Sequence, residues 1–196
     1  MDLIFASNNR NKIVEINNIL GDCFRLLSLE DINLTDDIPE NEPTLEGNAL
    51  FKARYIAGIK GMNVFADDTG LEVEALNGDP GVHSARFAGE DKDSAANIKK
   101  LLNLLSGSVN RKARFRTVIA LIFNGREYLF EGTVNGEILR DTRGGKGFGY
   151  DPVFLPEGKQ FTFAQMDLDE KNTISHRARA FEKLRAFLCA DQNPLT

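Results

Sequence analysis

The chain has 196 residues, of which 42% are hydrophobic and 27% charged, ordinary values for a single domain that can bury its own core. A formal net charge of −5 argues against a general nucleic-acid binder, which needs a basic face, but is compatible with a small anionic ligand met by a local cluster of cations.

In chain order, Met1–Ser7 carries an acid where a signal peptide has its basic segment, so a cytoplasmic location is expected. Leu3–Ala6 predicts a strand, Ser7–Lys12 a polar loop, and Ile13, Ile16, Ile19 and Leu20 the buried stripe of a helix stopped by Gly21. Strand, polar loop and helix start is a geometry in which backbone N–H groups hold phosphate. Lys12 in the first helical turn opposes the macrodipole, which favours a ligand role. The same Asn and Ser residues equally make a plain helix cap. Arg25–Leu29 predicts a second strand, and Glu30–Glu42 is an acidic irregular stretch containing Ile38-Pro-Glu40. Thr44 opens a helix with Leu45, Ala49, Leu50, Ala53, Ile56 and Ala57 buried.

Val64, Phe65 and Ala66 predict a short buried strand that stops at Asp67-Asp68-Thr69-Gly70. The expected reason is that two unpaired carboxylates cannot enter a core, so Gly70 turns the chain and both acids emerge where open α/β sheets place their chemistry. Two adjacent carboxylates suit Mg²⁺, which takes oxygen ligands and retains water and phosphate; a solvated polar turn reads the same pair equally well. Leu71–Ala75 then alternates as a separate half-buried strand, and Asn77–Phe87 is a loop. Asp93–Leu105 predicts an amphipathic helix. Ala113–Phe123 and Arg126–Val134 predict a hairpin through Asn124-Gly125, the first strand central because Val118–Phe123 is apolar on both faces. That run, the longest apolar one, is too short to span a bilayer.

Arg143–Pro152 is a glycine-rich loop whose backbone could approach an anion and whose Phe148 or Tyr150 could stack on a base, or else cap the core. Ser175 opens the last helix, putting His176 and Arg177 in a first turn with donors facing outward. Cys23 and Cys189 form no Cys-x-x-Cys pair, so neither a disulfide framework nor a zinc site is expected. The haloacid-dehalogenase pattern needs two aspartates one residue apart after a strand; Asp67-Asp68 does not match it.

Taken together, Ser7-x-Asn9-x-x-Lys12 with Glu15, Thr44–Ala49 with Lys52 to Arg54, Ala66-Asp-Asp-Thr-Gly-Leu71, Pro80-Gly-Val with Ser84-Ala-Arg86, Gly147-Phe-Gly-Tyr-Asp-Pro152, Lys171 and Ser175-His-Arg177 resemble the inosine/xanthosine triphosphate pyrophosphatases over Leu3 to about Leu188. The resemblance implies a single α/β domain over 1–196: an elongated mixed β-sheet with flanking helices, and two lobes around a central nucleotide-binding cleft, as a homodimer. It implies Mg²⁺-dependent hydrolysis of ITP, dITP and XTP to monophosphate and pyrophosphate, with no nucleic-acid or membrane partner. By the same resemblance Ser7, Asn8, Asn9, Arg10, Asn11 and Lys12 hold the triphosphate. Asp68 accepts the proton of the attacking water and binds metal with Glu40. Thr69, where the family more often has Ser, lines the pocket, and Phe148, Gly149, Tyr150, Asp151, Lys171, His176 and Arg177 recognise base and sugar. His83 stands where Tyr is common, so no role is carried to it. The alternatives are a Maf-type pyrophosphatase acting on other modified nucleotides and a nucleotide-binding regulator without catalysis.

Overall fold

A computed structural model describes the backbone of residues 2–20, 25–34 and 38–191, and the side chains of these except 10, 17–20 and 191. Gly21, the expected helix stop, and Cys23 therefore lie outside the described residues, as do the side chains of Ile19 and Leu20. The elements are β1 (Asp2–Phe5), α1 (Arg10–Leu20), β2 (Arg25–Leu27), α2 (Leu45–Lys60), β3 (Val64–Val73), β4 (Pro80–Gly81), α3 (Ser94–Leu104), β5 (Lys112–Phe123), β6 (Arg126–Ile138), β7 (Phe154–Pro156), α4 (Leu168–Ile174) and α5 (His176–Asp191). The strands form one mixed sheet in the order β2-β1-β3-β5-β6-β7, with β4 beside β3. β1 runs parallel to both β2 and β3, whereas β3 with β4 and β6 with β7 are antiparallel.

Local chemistry explains many of the boundaries. Thr44 caps α2 by accepting the Gly47 N–H, and Gly61 ends it in the left-handed region at φ 62. Asp93 caps α3 through the N–H groups of Ala95 and Ala96. Asn124 and Gly125 both have positive φ, 49 and 74, as a type I′ hairpin turn requires. β5 lies between β3 and β6, and Val118–Leu121 is buried as its two-faced apolar pattern predicts. β6 runs four residues beyond the expected Val134, and α4 was not foreshadowed by the pattern.

The centre of the sheet departs from expectation. Val64–Ala66 and Leu71–Val73 are not two strands around an acidic turn; β3 is one ten-residue strand passing straight through Asp67, Asp68, Thr69 and Gly70. Gly70 makes no turn. A Cβ there would lie 2.5 Å from the Gly81 carbonyl oxygen, so its lack of a side chain lets β4 pair against β3.

Contacts divide the chain into two compact units, 1–68 with 117–132 and 177–196, and 69–116 with 133–176, so β3, β5 and β6 each contribute to both. In the first unit Ile16 of α1 and Ala180, Phe181, Leu184 and Leu188 of α5 pack with Leu3, Phe5 and Phe65. The Phe65 ring stacks on Phe5 at 4.8 Å and meets Phe181 edge-on at 5.6 Å. In the second unit Ile98, Leu101 and Leu105 pack with Leu71, Val73, Phe115 and Phe154. No helix among the described residues is long and apolar enough to cross a membrane.

Candidate active site

Successive residues of a strand point to opposite faces, so Asp67 shares the face of Phe65, under α1 and α5, and Asp68 faces α2. Both carboxylates are buried, at 0% and 7% exposure, against the expectation that they emerge into solvent. The reason is that neither is unpaired, and a buried charge is tolerated where partners satisfy it. Asp67 Oδ1 accepts from Lys12 Nζ at 2.9 Å, and Arg177 Nε lies 3.6 Å from its Oδ2. Arg177 Nη1 is also ion-paired with the buried Glu15 Oε2. Burial pushes the Asp67 carboxyl up, but Lys12, Arg177 and Lys52 outweigh it and hold the group below the usual carboxylate range.

Asp68 is shifted the other way. Burial raises it above the usual range, and the Glu40 charge adds to that, while Lys52, Lys12 and the Asn48 hydrogen bond oppose it. Asn48 Nδ2 donates to Asp68 Oδ2 at 3.0 Å. Lys52 Nζ donates to the Asp67 carbonyl oxygen at 2.8 Å and to Glu40 Oε1 at 2.5 Å. Burial lowers the Lys52 pKa, yet Asp68, Glu40 and Asp67 raise it further and keep it an ammonium. Two neighbouring aspartates are thereby driven apart, one held as an anion and the other made more basic, a division that suits a structural charge beside a proton acceptor.

At the start of α1, Asn9 is the cap: its Oδ1 accepts the N–H groups of Asn11 and Lys12, and Ser7 Oγ accepts the Asn9 N–H. Asn8, Asn9 and Asn11 are exposed and Ser7 is half-buried. The Arg10 side chain lies outside the described residues. Lys12, whose place against the helix dipole suggested a ligand, is turned onto Asp67.

The second unit gathers the other expected residues. Asp151 Oδ2 accepts from Lys171 Nζ at 2.7 Å and from the Phe148 N–H at 2.9 Å. The glycine-rich loop thus presents this N–H to an internal carboxylate. Gly147 has φ 73, and a Cβ on it would lie 2.1 Å from Asp151 Oδ2, so this turn needs glycine. Lys171 Nζ sits 5.1 Å from the centroid of the half-buried Phe148 ring, a cation–π contact. Tyr150 is 4% exposed with its hydroxyl donated to the Ser84 carbonyl, so of the two aromatics it is the one that serves the core. Thr69 is half-buried.

The expected outward-facing donors at the start of α5 are not found. His176 is 3% exposed, its ring stacked on Phe115 at 4.6 Å, and Arg177 is 2% exposed in the Glu15–Asp67 cluster. Packing overrides the local reading, because Phe115 and Glu15 lie far away in sequence. Glu15, Asn48, Lys52 and Asp67 stand within the quoted motifs, but the sequence assigns none of them a place in the site. A signal for two of them was present: Asn48 and Lys52 fall on the buried stripe of α2 with Ala49, Ala53 and Ile56, where a polar residue must have a partner.

Fold and site define a mixed α/β protein in which polar residues of the first unit converge on two buried, oppositely tuned carboxylates at the middle of a central strand. The Ham1 family profile matches residues 3–187, and the chain belongs to the Ham1 family. It is 52% identical over 190 residues to the dITP/XTP pyrophosphatase of Flavobacterium johnsoniae, covering 97% of this chain and 99% of that protein. It is 53% identical over 190 residues to the dITP/XTP pyrophosphatase of Porphyromonas gingivalis, covering 96% and 98%. Among solved structures, the Staphylococcus aureus Ham1 protein matches with a TM-score of 0.89 at 41% identity, covering 97% of this chain and 100% of that one. A HAM1 protein from Coxiella burnetii matches with a TM-score of 0.90 at 38% identity, covering 97% and 99%.

Proposed function

We propose that this chain hydrolyses the noncanonical purine nucleoside triphosphates dITP, XTP and ITP to monophosphate and pyrophosphate, removing them from the nucleotide pool before they enter DNA or RNA. Full-length similarity to proteins named dITP/XTP pyrophosphatase supports the substrate class. The observation that carries the chemistry is Asp68, a buried carboxylate of raised pKa held by Asn48 beside Lys52 and Glu40.

In this reading water attacks the α-phosphorus, its proton passes to Asp68, and pyrophosphate leaves with the electron pair of the broken bond. An aspartate at its reference pKa of about 3.9 is a feeble base at neutral pH; the raised Asp68 pKa narrows that gap. Ser7–Lys12 binds the triphosphate, and Phe148, Asp151 and Lys171 meet base and sugar.

Asp68 and Glu40 are also the residues that would hold Mg²⁺. Among the described residues no group of three or more His, Cys, Asp or Glu side chains is arranged for a metal. Two carboxylates whose charges oppose one another are present instead. An all-oxygen, incomplete donor set fits Mg²⁺, which is usually held by one or two carboxylates and completed by water and substrate phosphate. When bound, the ion would neutralise phosphate charge and acidify the attacking water. A homodimeric, cytoplasmic enzyme completes the proposal.

The test is pyrophosphate release across dITP, XTP, ITP, GTP and ATP, with and without Mg²⁺, for the wild type and Asp68→Asn. Selective turnover of the first three, cut to a small residue in the variant, is expected; equal turnover of ATP or a variant as active as the wild type would refute the reading.

A further inference from the structure

We propose that Asn48 is a positioning residue for Asp68: its amide holds one oxygen of the carboxylate and ties the Glu40-bearing loop to it. The inference rests on the role given to Asp68 above.

Asn48 lies in the first turn of α2 and is 1% exposed. Its Oδ1 accepts the Glu42 N–H at 3.0 Å, and its Nδ2 donates to Asp68 Oδ2 at 3.0 Å. A backbone N–H can only donate, so the atom facing Glu42 is the amide oxygen. The amide nitrogen, also a donor only, must then face Asp68 and requires Oδ2 as an acceptor. This bond anchors one carboxylate oxygen, Oδ2, to the buried face of α2 and so restricts the rotation of the Asp68 side chain.

The same helix face clamps the acidic loop. A Cβ on Gly47 would lie 2.8 Å from Glu42 Cβ and 3.1 Å from Thr44 Oγ1, so a side chain there would push the loop away. One turn past Asn48, Lys52 holds Glu40 at 2.5 Å. Asn48 extends this clamp to Asp68. A rigid helix thus sets the two carboxylates relative to one another, although they are 28 positions apart in sequence.

The experiment is a double-mutant cycle. Asn48→Ala should lower kcat about 10–100-fold, the usual scale for an outer-shell partner, with KM for dITP within about threefold. In an Asp68→Ala background the same substitution should change the residual turnover by less than about twofold, because Asn48 acts through the missing carboxylate. A merely structural role would lower both backgrounds by the same factor, and that result overturns the proposal, as does a wild-type kcat in Asn48→Ala. If Asn48→Ala does not fold, Asn48→Ser carries the same comparison, since it keeps a small polar side chain, is too short to reach Asp68 as the amide does and adds no charge beside the carboxylate. A second readout needs no turnover. The Asn48 side-chain amide protons of the nitrogen-15-labelled protein should exchange slowly with solvent, and one should shift on Asp68→Ala; fast exchange and no shift overturn the contact itself. Full turnover in Asp68→Ala would refute the catalytic reading instead, and the amide spectrum separates that failure from this one.

Discussion

The same substitution at two adjacent positions should act in opposite directions on stability. Asp67→Asn keeps the shape of the side chain and removes a charge that lies 2.9 Å from Lys12 Nζ and 3.6 Å from Arg177 Nε. At an effective dielectric constant of about 20 these contacts carry gross attractions of about 6 and 5 kcal/mol. Most of that offsets the desolvation of the ions, and removing one member of a buried pair typically costs about 3–5 kcal/mol net. Arg177 keeps Glu15 and Lys52 keeps Glu40, so about 3 kcal/mol is expected, a fall in melting temperature of about 6–12 °C for a chain of this size. Asp67 has a lowered folded pKa, so its contribution is present above the unfolded value of about 3.9 and is lost as the pH falls through the folded pKa. The gap between wild type and Asp67→Asn should therefore be full at neutral pH and close in acid.

Asp68 has a raised folded pKa, so its stabilising contribution is present below the unfolded value and is lost as the pH rises through the folded one. Its charge opposes folding at neutral pH, and Asp68→Asn should match or exceed the wild type in stability while losing turnover. Thermal and urea unfolding from acid to neutral pH, with chelator present, decides both. A loss in Asp68→Asn equal to that in Asp67→Asn, or a gap for Asp67→Asn that does not vary with pH, would refute the electrostatic account.

Other expectations follow from single contacts. Lys12→Ala should weaken all nucleoside triphosphates by a similar factor if Lys12, which sits on Asp67, has the phosphate role proposed for it; a changed ranking of bases in a kinetic panel would count against this. Gly70→Ala, placing a methyl 2.5 Å from the Gly81 carbonyl, should destabilise by about 1–3 kcal/mol in urea unfolding. Lys171→Met leaves the buried Asp151 carboxylate without its ion-pair partner and should cost about 3–5 kcal/mol, read from the melting temperature. An unchanged melting temperature would show that the Lys171–Asp151 pair does not hold the glycine-rich loop.

Much of the fold was legible because its signals are local. The Asn124-Gly125 turn, the opening of α2 at Thr44, the helix expected from Asp93 and the two-faced apolar run of β5 each rest on signals within a few residues, and each appears where the pattern puts it. The candidate residues were named as a set by the ordered motifs from Ser7 to Arg177. Their environments were not. Whether Asp67 and Asp68 leave the sheet or stay inside it depends on cations at positions 12, 52 and 177, none of them near 67 in the chain. Glu15 and Arg177, which meet in one buried pair, are 162 positions apart. Sequence alone places α2, α3, the Asn124-Gly125 turn and the apolar core of β5, since propensity, capping and periodicity are short-range. Long-range packing sets the rest: β3 runs unbroken through two carboxylates, Arg177 and His176 face inward, and adjacent aspartates hold opposite pKa shifts. Desolvation and Coulomb energy depend on distances in space, and distances between residues far apart in the chain exist only once it has folded.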